Sequence, residues 1–195
     1  MPQTLEKIST DALHKQQILI LDFGSQYTQN IARRVREAQV FCEIQPYTKS
    51  LSEIKTLSPK GIILSGGPAS VLERDAVLCD KKLFELGIPI LGICYGMQLI
   101  AHMLSGKVSP ADDREYGRAQ LKIKEYSRLL KEVKNNSTIW MSHGDLIKKL
   151  PAGFKCTAFT DNSPIAAIEN PMKKIYGLQF HPEVAHTSDG TTLLN

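Results

Sequence analysis

The chain has 195 residues, 42% of them hydrophobic and 23% charged, and its 24 basic and 20 acidic side chains leave a net charge of +4. That is enough chain for one globular core and too little for two large ones. So small a basic excess gives no cationic stripe of the kind that binds nucleic acid, and no apolar run is long enough to span a bilayer. The most basic stretch, Lys122–Lys134, is interrupted by two glutamates and reads as a solvated face. Cys42, Cys79, Cys94 and Cys156 form no CxxC pair and no zinc-ligand spacing with histidine, so no metal site is expected. The first residues lack the basic-then-apolar layout of a secretory signal, and free thiols suit the reducing cytoplasm.

In chain order, residues 1–17 are polar and aperiodic and read as a loose leader ahead of one domain over residues 18–195. Ile18–Asp22 is a continuous apolar run, the pattern of a strand buried on both faces. Ser25–Glu37 places Tyr27, Ile31, Ala32 and Val35 on one helical face, with Ser25 as N-cap. Val40–Ile44 and Gly61–Ser65 follow as strands. The spacing predicts a helix over Asp75–Leu86 closed by Gly87, a strand over Ile88–Ile93 and a helix over Gly96–Leu104. This alternation predicts an α/β fold, an open, mostly parallel sheet with helices on both faces, whose ligands sit at the carboxyl ends of the strands. The C-terminal half reads differently. Ala119–Ile123, Gly153–Thr160, Pro164–Glu169 and Lys173–Phe180 are short strand-like runs parted by Pro, Gly and Asn, which predicts an antiparallel extension of the sheet.

Gly92-Ile93-Cys94-Tyr95-Gly96 has the spacing of the nucleophile elbow G-x-S-x-G, with sulfur in place of oxygen. A nucleophile on so sharp a strand-to-helix turn has strained backbone angles, and the flanking residues must be small. The turn also sets the sulfur at a helix N-terminus, whose partial positive charge favours a thiolate. The Tyr95 amide faces the same space and can meet a developing oxyanion. Cys42, Cys79 and Cys156 lie inside strand- or helix-like runs and read as small packing residues.

A thiol nucleophile needs a base. His181 follows the run Ile175–Phe180, which brings it to the rim expected for Cys94, and Pro182 keeps it extended. Glu183, two residues on, then faces the same side and can orient the imidazole. Ser65–Ser70 (SGGPAS) supplies paired glycines at the exit of the third strand, and the Gly67 amide is the second candidate oxyanion donor. The string also resembles the S-G-G-x-D-S phosphate loop of ATP pyrophosphatases, but Ala69 stands where that loop carries aspartate.

Together GICYGMQ, SGGPAS and QFHPE resemble the triad-type (class I) glutamine amidotransferases, with a flavodoxin-like α/β fold. Leu21–Glu37, Arg114–Gly117 (REYG), Trp140–Asp145 (WMSHGD) and His181–Thr187 look like the amidotransferase domains of GMP synthetases, and the resemblance covers residues 18–195. It implies that Cys94 attacks the glutamine carboxamide to give a thioester. His181 then serves as acid and base, Glu183 orients it, and the Gly67 and Tyr95 amides hold the oxyanion. Gln98, Ser142 and Asp145 are implied to bind the amino-acid end of glutamine, the alternative for Ser142 and Asp145 being a helix cap. His143 has no assigned role, and His186 and Thr187 are candidates for an inter-domain surface.

The ammonia would go to an ATP-pyrophosphatase (synthetase) domain that aminates XMP to GMP, in the same full-length chain or as a separate subunit. ATP and magnesium belong to that domain, and no cofactor is expected in this chain. Three other readings stay open: the glutaminase of another class I amidotransferase, a related cysteine hydrolase such as a γ-glutamyl hydrolase, and a catalytically silent regulatory module.

Overall fold

The computed structural model describes residues 17–194, apart from the side chains of residues 112 and 113. The expected leader lies outside the described residues except for its last member, Gln17, which belongs to the fold. Gln17 is buried, its carbonyl accepts the Lys60 N–H at 2.8 Å and its side-chain amide donates to Glu43 at 2.8 Å.

The first half runs β1 (Ile18–Asp22), α1 (Thr28–Glu37), β2 (Cys42–Pro46), α2 (Leu51–Leu57), β3 (Gly61–Leu64), β4 (Ile90–Ile93) and α3 (Tyr95–Met103). The second runs β5 (Lys107–Ile123), β6 (Ser137–Lys149), β7 (Lys155–Phe159), β8 (Ala167–Asn170), β9 (Ile175–Leu178) and α4 (Gly190–Leu194). Among the described residues the strands form one sheet in the order β2-β1-β3-β4-β9-β8-β7-β5-β6. Pairing is parallel from β2 through β9 and antiparallel beyond it.

Continuous apolar runs form the parallel strands because each is covered twice. Successive side chains of a strand point to opposite faces. Leu19 and Leu21 of β1, with Ile62 and Leu64 of β3, pack against Ile54 of α2 and Leu99 of α3. Ile20 and Ile63 face the other way and pack with Ile31, Ala32 and Val35 of α1. The helices therefore cover both faces, as the sequence pattern predicts. No helix among the described residues is long and apolar enough to cross a membrane.

Several expectations need correction. Asp75–Leu86 is not an α-helix; only a 3-10 turn forms, over Lys81–Glu85. The Asp80 carboxylate takes the Lys82 N–H at 2.9 Å, and the Val77 carbonyl accepts the Tyr95 hydroxyl at 2.6 Å. Both contacts compete with helical hydrogen bonding. Conversely α2 was not expected, although its capping box, Ser50 with Glu53, stands in the sequence as S-x-x-E. Helix α1 starts at Thr28, three residues after the expected cap; Ser25 Oγ instead accepts the Tyr27 N–H at 3.0 Å in the preceding turn. Lys173–Phe180 yields β9, which is antiparallel only to β8 and parallel to β4. Finally, β5 and β6 form a long hairpin, so Ser142–Asp145 lies inside a strand and caps no helix.

The joint between β4 and α3 is closed by glycine. A Cβ on Gly96 would stand 2.4 Å from the Leu64 carbonyl oxygen, and one on Gly92 would stand 2.5 Å from the Gly96 backbone. We expect Gly96→Ala to lower stability by about 1–3 kcal/mol or more, since backbone atoms must move to admit the methyl group. Urea unfolding checks this, and wild-type stability would contradict the packing described.

Candidate active site

Cys94 links β4 to α3 with φ +52° and ψ −106°, a backbone conformation that side chains other than glycine rarely adopt. Its amide donates to the Leu178 carbonyl at 2.7 Å, which ties the turn to β9. The side chain lines a cavity of about 710 Å³ beyond the carboxyl ends of β1, β3, β4 and β9, where a doubly wound sheet offers its crevice. The other three thiols are shifted up by burial, Cys79 to about 12, and none of them lines this cavity.

His181 lines the same cavity, three residues beyond the end of β9. Its Nδ1 lies 2.7 Å from Glu183 Oε1, and both residues are buried. The extended His-Pro-Glu segment thus puts residues i and i+2 on one side, as expected. With Nδ1 on the carboxylate, Nε2 is the ring atom left for the sulfur. Burial opposes a charge on the ring. The hydrogen bonds to Cys94 and to Glu183, with the negative charge of both, prevail and hold its pKa at about 10 against an ordinary 6.5. Cys94, His181 and Glu183 therefore form one chain of interactions, from the cavity into the core.

Several contacts that the sequence did not reveal hold this chain rigid. The His181 N–H donates to the Trp140 carbonyl at 3.0 Å, and the Thr187 hydroxyl donates to the His181 carbonyl at 2.6 Å. Thr187 is buried in that role and is unavailable to an inter-domain surface. His186 is exposed and lies against Trp140 with ring centroids 4.6 Å apart. Tyr27, expected only on the buried face of the first helix, packs at a steep angle against His181 with ring centroids 5.2 Å apart. Arg34 of α1 donates to the Glu183 carbonyl at 3.3 Å.

Gly67 and Tyr95 flank the sulfur in the cavity wall. Tyr95 opens α3, so its N–H has no intrahelical acceptor. A Cβ on Gly67 would stand 2.7 Å from the Phe23 carbonyl oxygen, so only glycine lets the backbone run there. Opposite the sulfur, β6 brings Ser142, His143 and Asp145 to the wall. The Ser142 carbonyl is 3.5 Å from Cys94 Sγ, and Ser70, the last residue of SGGPAS, donates its hydroxyl to the Asp145 carboxylate. Gln98 Nε2 donates to the Asp145 carbonyl at 2.9 Å and to Gln179 at 3.2 Å, bracing α3 against β6. All eight expected site residues thus meet at one place, Glu183 from behind His181. No group of three or more metal-ligating side chains occurs among the described residues. A thiol beside a charged imidazole in a cavity suits attack on a carbonyl carbon and protonation of a leaving amine.

The chain is similar to known proteins over nearly all of its length. The family model for class-I glutamine amidotransferases matches residues 19–195. A GMP synthase [glutamine-hydrolyzing] of Acetivibrio thermocellus is 56% identical over 183 residues, 94% of this chain and 36% of the relative. The corresponding protein of Campylobacter jejuni is 54% identical over 93% of this chain and 36% of its own. The chain therefore spans about a third of the length of these relatives. The crystal structure of a GMP synthase component from Thermoplasma acidophilum superposes with a TM-score of 0.79 at 30% identity, covering 92% of this chain and 90% of that one. A glutamine amidotransferase of Thermotoga maritima shares the fold at a TM-score of 0.70 and 22% identity, over 88% of this chain and 77% of its own. A match running from the second residue of β1 to the last residue, with relatives more than half identical over most of it, places the chain in the class-I glutamine amidotransferase family.

Proposed function

We propose that the chain hydrolyses glutamine to glutamate and ammonia through a thioester on Cys94, and that the ammonia serves the amination of XMP to GMP. The observation that carries this reading is the Cys94–His181–Glu183 chain opening on the cavity, in a fold of this family. The sulfur attacks the side-chain carboxamide carbon, and the oxyanion that forms is held by the Gly67 and Tyr95 amides. His181, charged at neutral pH, gives its Nε2 proton to the departing nitrogen, which leaves as ammonia. The neutral ring then takes a proton from the water that cleaves the thioester. Glu183 keeps the Nδ1–H in place throughout.

At the amino-acid end, Asp145 is the natural partner of the α-ammonium. Gln98, its amide nitrogen engaged elsewhere, meets substrate through its carbonyl oxygen, and Ser142 lines the wall beside the sulfur. The synthetase that receives the ammonia is an ATP-pyrophosphatase domain, in one chain with this one or as a separate subunit. Support comes from the names of the relatives and from the share of their length that this chain leaves uncovered. ATP and magnesium are assigned to that domain and no cofactor to this chain. The free thiols favour action in the reducing cytoplasm.

Ammonia release tests the reading. Cys94→Ala should lower it by roughly 10⁴-fold or more, and Glu183→Gln by about 10²-fold or more. Undiminished release by Cys94→Ala would refute the assignment. The isolated chain is expected to turn over slowly and to accelerate when a GMP synthetase ATP-pyrophosphatase domain, XMP and ATP are added; full speed alone would refute the coupling.

The raised pKa of His181 has a signed consequence for stability. Its contribution is complete below the ordinary value of 6.5 and is lost as pH rises toward about 10. Nitrogen NMR of the ring should show titration far above 6.5, with a lower midpoint in both Glu183→Gln and Cys94→Ala. An ordinary midpoint in the wild type would contradict the ion chain.

A further inference from the structure

From the cavity wall at His143 a polar cluster that the reaction does not use runs inward. Glu115, His143, Thr160 and Ser163 are all buried. Thr160 Oγ1 lies 3.1 and 3.2 Å from the two Glu115 carboxylate oxygens, and the Ser163 N–H donates to the same hydroxyl at 2.9 Å. His143 Nε2 is 3.4 Å from both Glu115 Oε2 and Ser163 Oγ. On its other side, His143 Nδ1 is 2.9 Å from the Asp145 carbonyl oxygen. A carbonyl can only accept, so Nδ1 carries a hydrogen and donates. The Asp145 carbonyl therefore receives two donors, His143 Nδ1–H and Gln98 Nε2–H.

Such burial is costly for polar groups unless they are hydrogen-bonded, and a satisfied network of this kind specifies one geometry. What it specifies here is the backbone of β6 at Asp145, two residues from His143 and next to Gly144. We propose that Glu115 and His143 are positioning residues that fix the Asp145 carboxylate for the α-ammonium of glutamine, and so set the preference of the cavity for amino acids. The pair acts through Asp145 and touches no reacting atom. The proposal rests on the reading of Asp145 as the α-ammonium partner.

The test compares two reagents for the same sulfur. 6-Diazo-5-oxo-norleucine carries the α-ammonium and α-carboxylate of glutamine, whereas iodoacetamide carries neither. Second-order labelling rates at Cys94 are measured for both by peptide mass mapping, in the wild type, Glu115→Gln, the milder Thr160→Val, and Asp145→Asn. The expected result is that the ratio of the norleucine rate to the iodoacetamide rate falls about five- to ten-fold in Glu115→Gln, the effect of one misplaced hydrogen-bonding group. It should fall less in Thr160→Val and at least as far in Asp145→Asn. Equal loss of both rates would show a merely structural role and overturn the proposal, as would an unchanged ratio in Glu115→Gln and Thr160→Val with a reduced one in Asp145→Asn. An unchanged ratio in Asp145→Asn would overturn the reading on which it rests. Thr160→Val gives the answer should Glu115→Gln fail to fold.

Discussion

The positive-φ backbone at Cys94 is the constraint on which the site depends. A residue with a Cβ resists φ +52°, at a cost of order 1–3 kcal/mol. The surroundings hold it there nonetheless. Gly92 and Gly96 let β4, α3 and β3 approach to distances that any side chain would forbid, and the Leu178 carbonyl anchors the Cys94 amide. The result is a sulfur at the head of a helix, in one wall with Gly67 and Tyr95 and open to a cavity. Relaxing the turn would draw the sulfur away from all three.

The second requirement is that an imidazole from a distant part of the chain meet that sulfur. The sheet provides this through β9, which closes the parallel half against β4 and opens the antiparallel half against β8. Because β9 runs parallel to β4, its exit lies on the same rim as Cys94. Burying an imidazolium there is tenable only with opposite charge close by. The Glu183 carboxylate, with Oε1 2.7 Å from Nδ1, supplies it, and Cys94 on the other side of the ring adds to the upward shift. Glu183 Oε2 is buried with no hydrogen-bond partner among the described residues. The hairpin of β5 and β6 then adds the far wall, carrying Ser142 and Asp145.

The elbow, the His-Pro-Glu segment and the parallel half were readable in the sequence because each rests on local rules. Glycine spacing, the extended residue before proline and unbroken apolar strands need no knowledge of distant contacts. The failures have the opposite character. Val77 and Asp80 sit in a helix-like pattern, yet a tyrosine hydroxyl 18 residues away and a side-chain carboxylate claim the groups a helix would need. Strand β6 alternates buried and half-buried residues from Ser137 to His143, a pattern masked because its middle, Trp140–Asp145, reads as a motif. Thr187 and Glu115 are polar residues whose burial depends wholly on partners from other segments. Only α2 was missed with its signal in plain sight, the Ser50–Glu53 capping box.

Trapping the covalent intermediate addresses the chemistry most directly. The chain is mixed with glutamine, quenched in acid during turnover, and its peptides mapped by mass. A γ-glutamyl adduct on the Cys94 peptide, released by hydroxylamine, is the result predicted by the geometry of the elbow and its imidazole. Glutamine hydrolysis that proceeds with the adduct on another residue, or at the wild-type rate in Cys94→Ala, would contradict it.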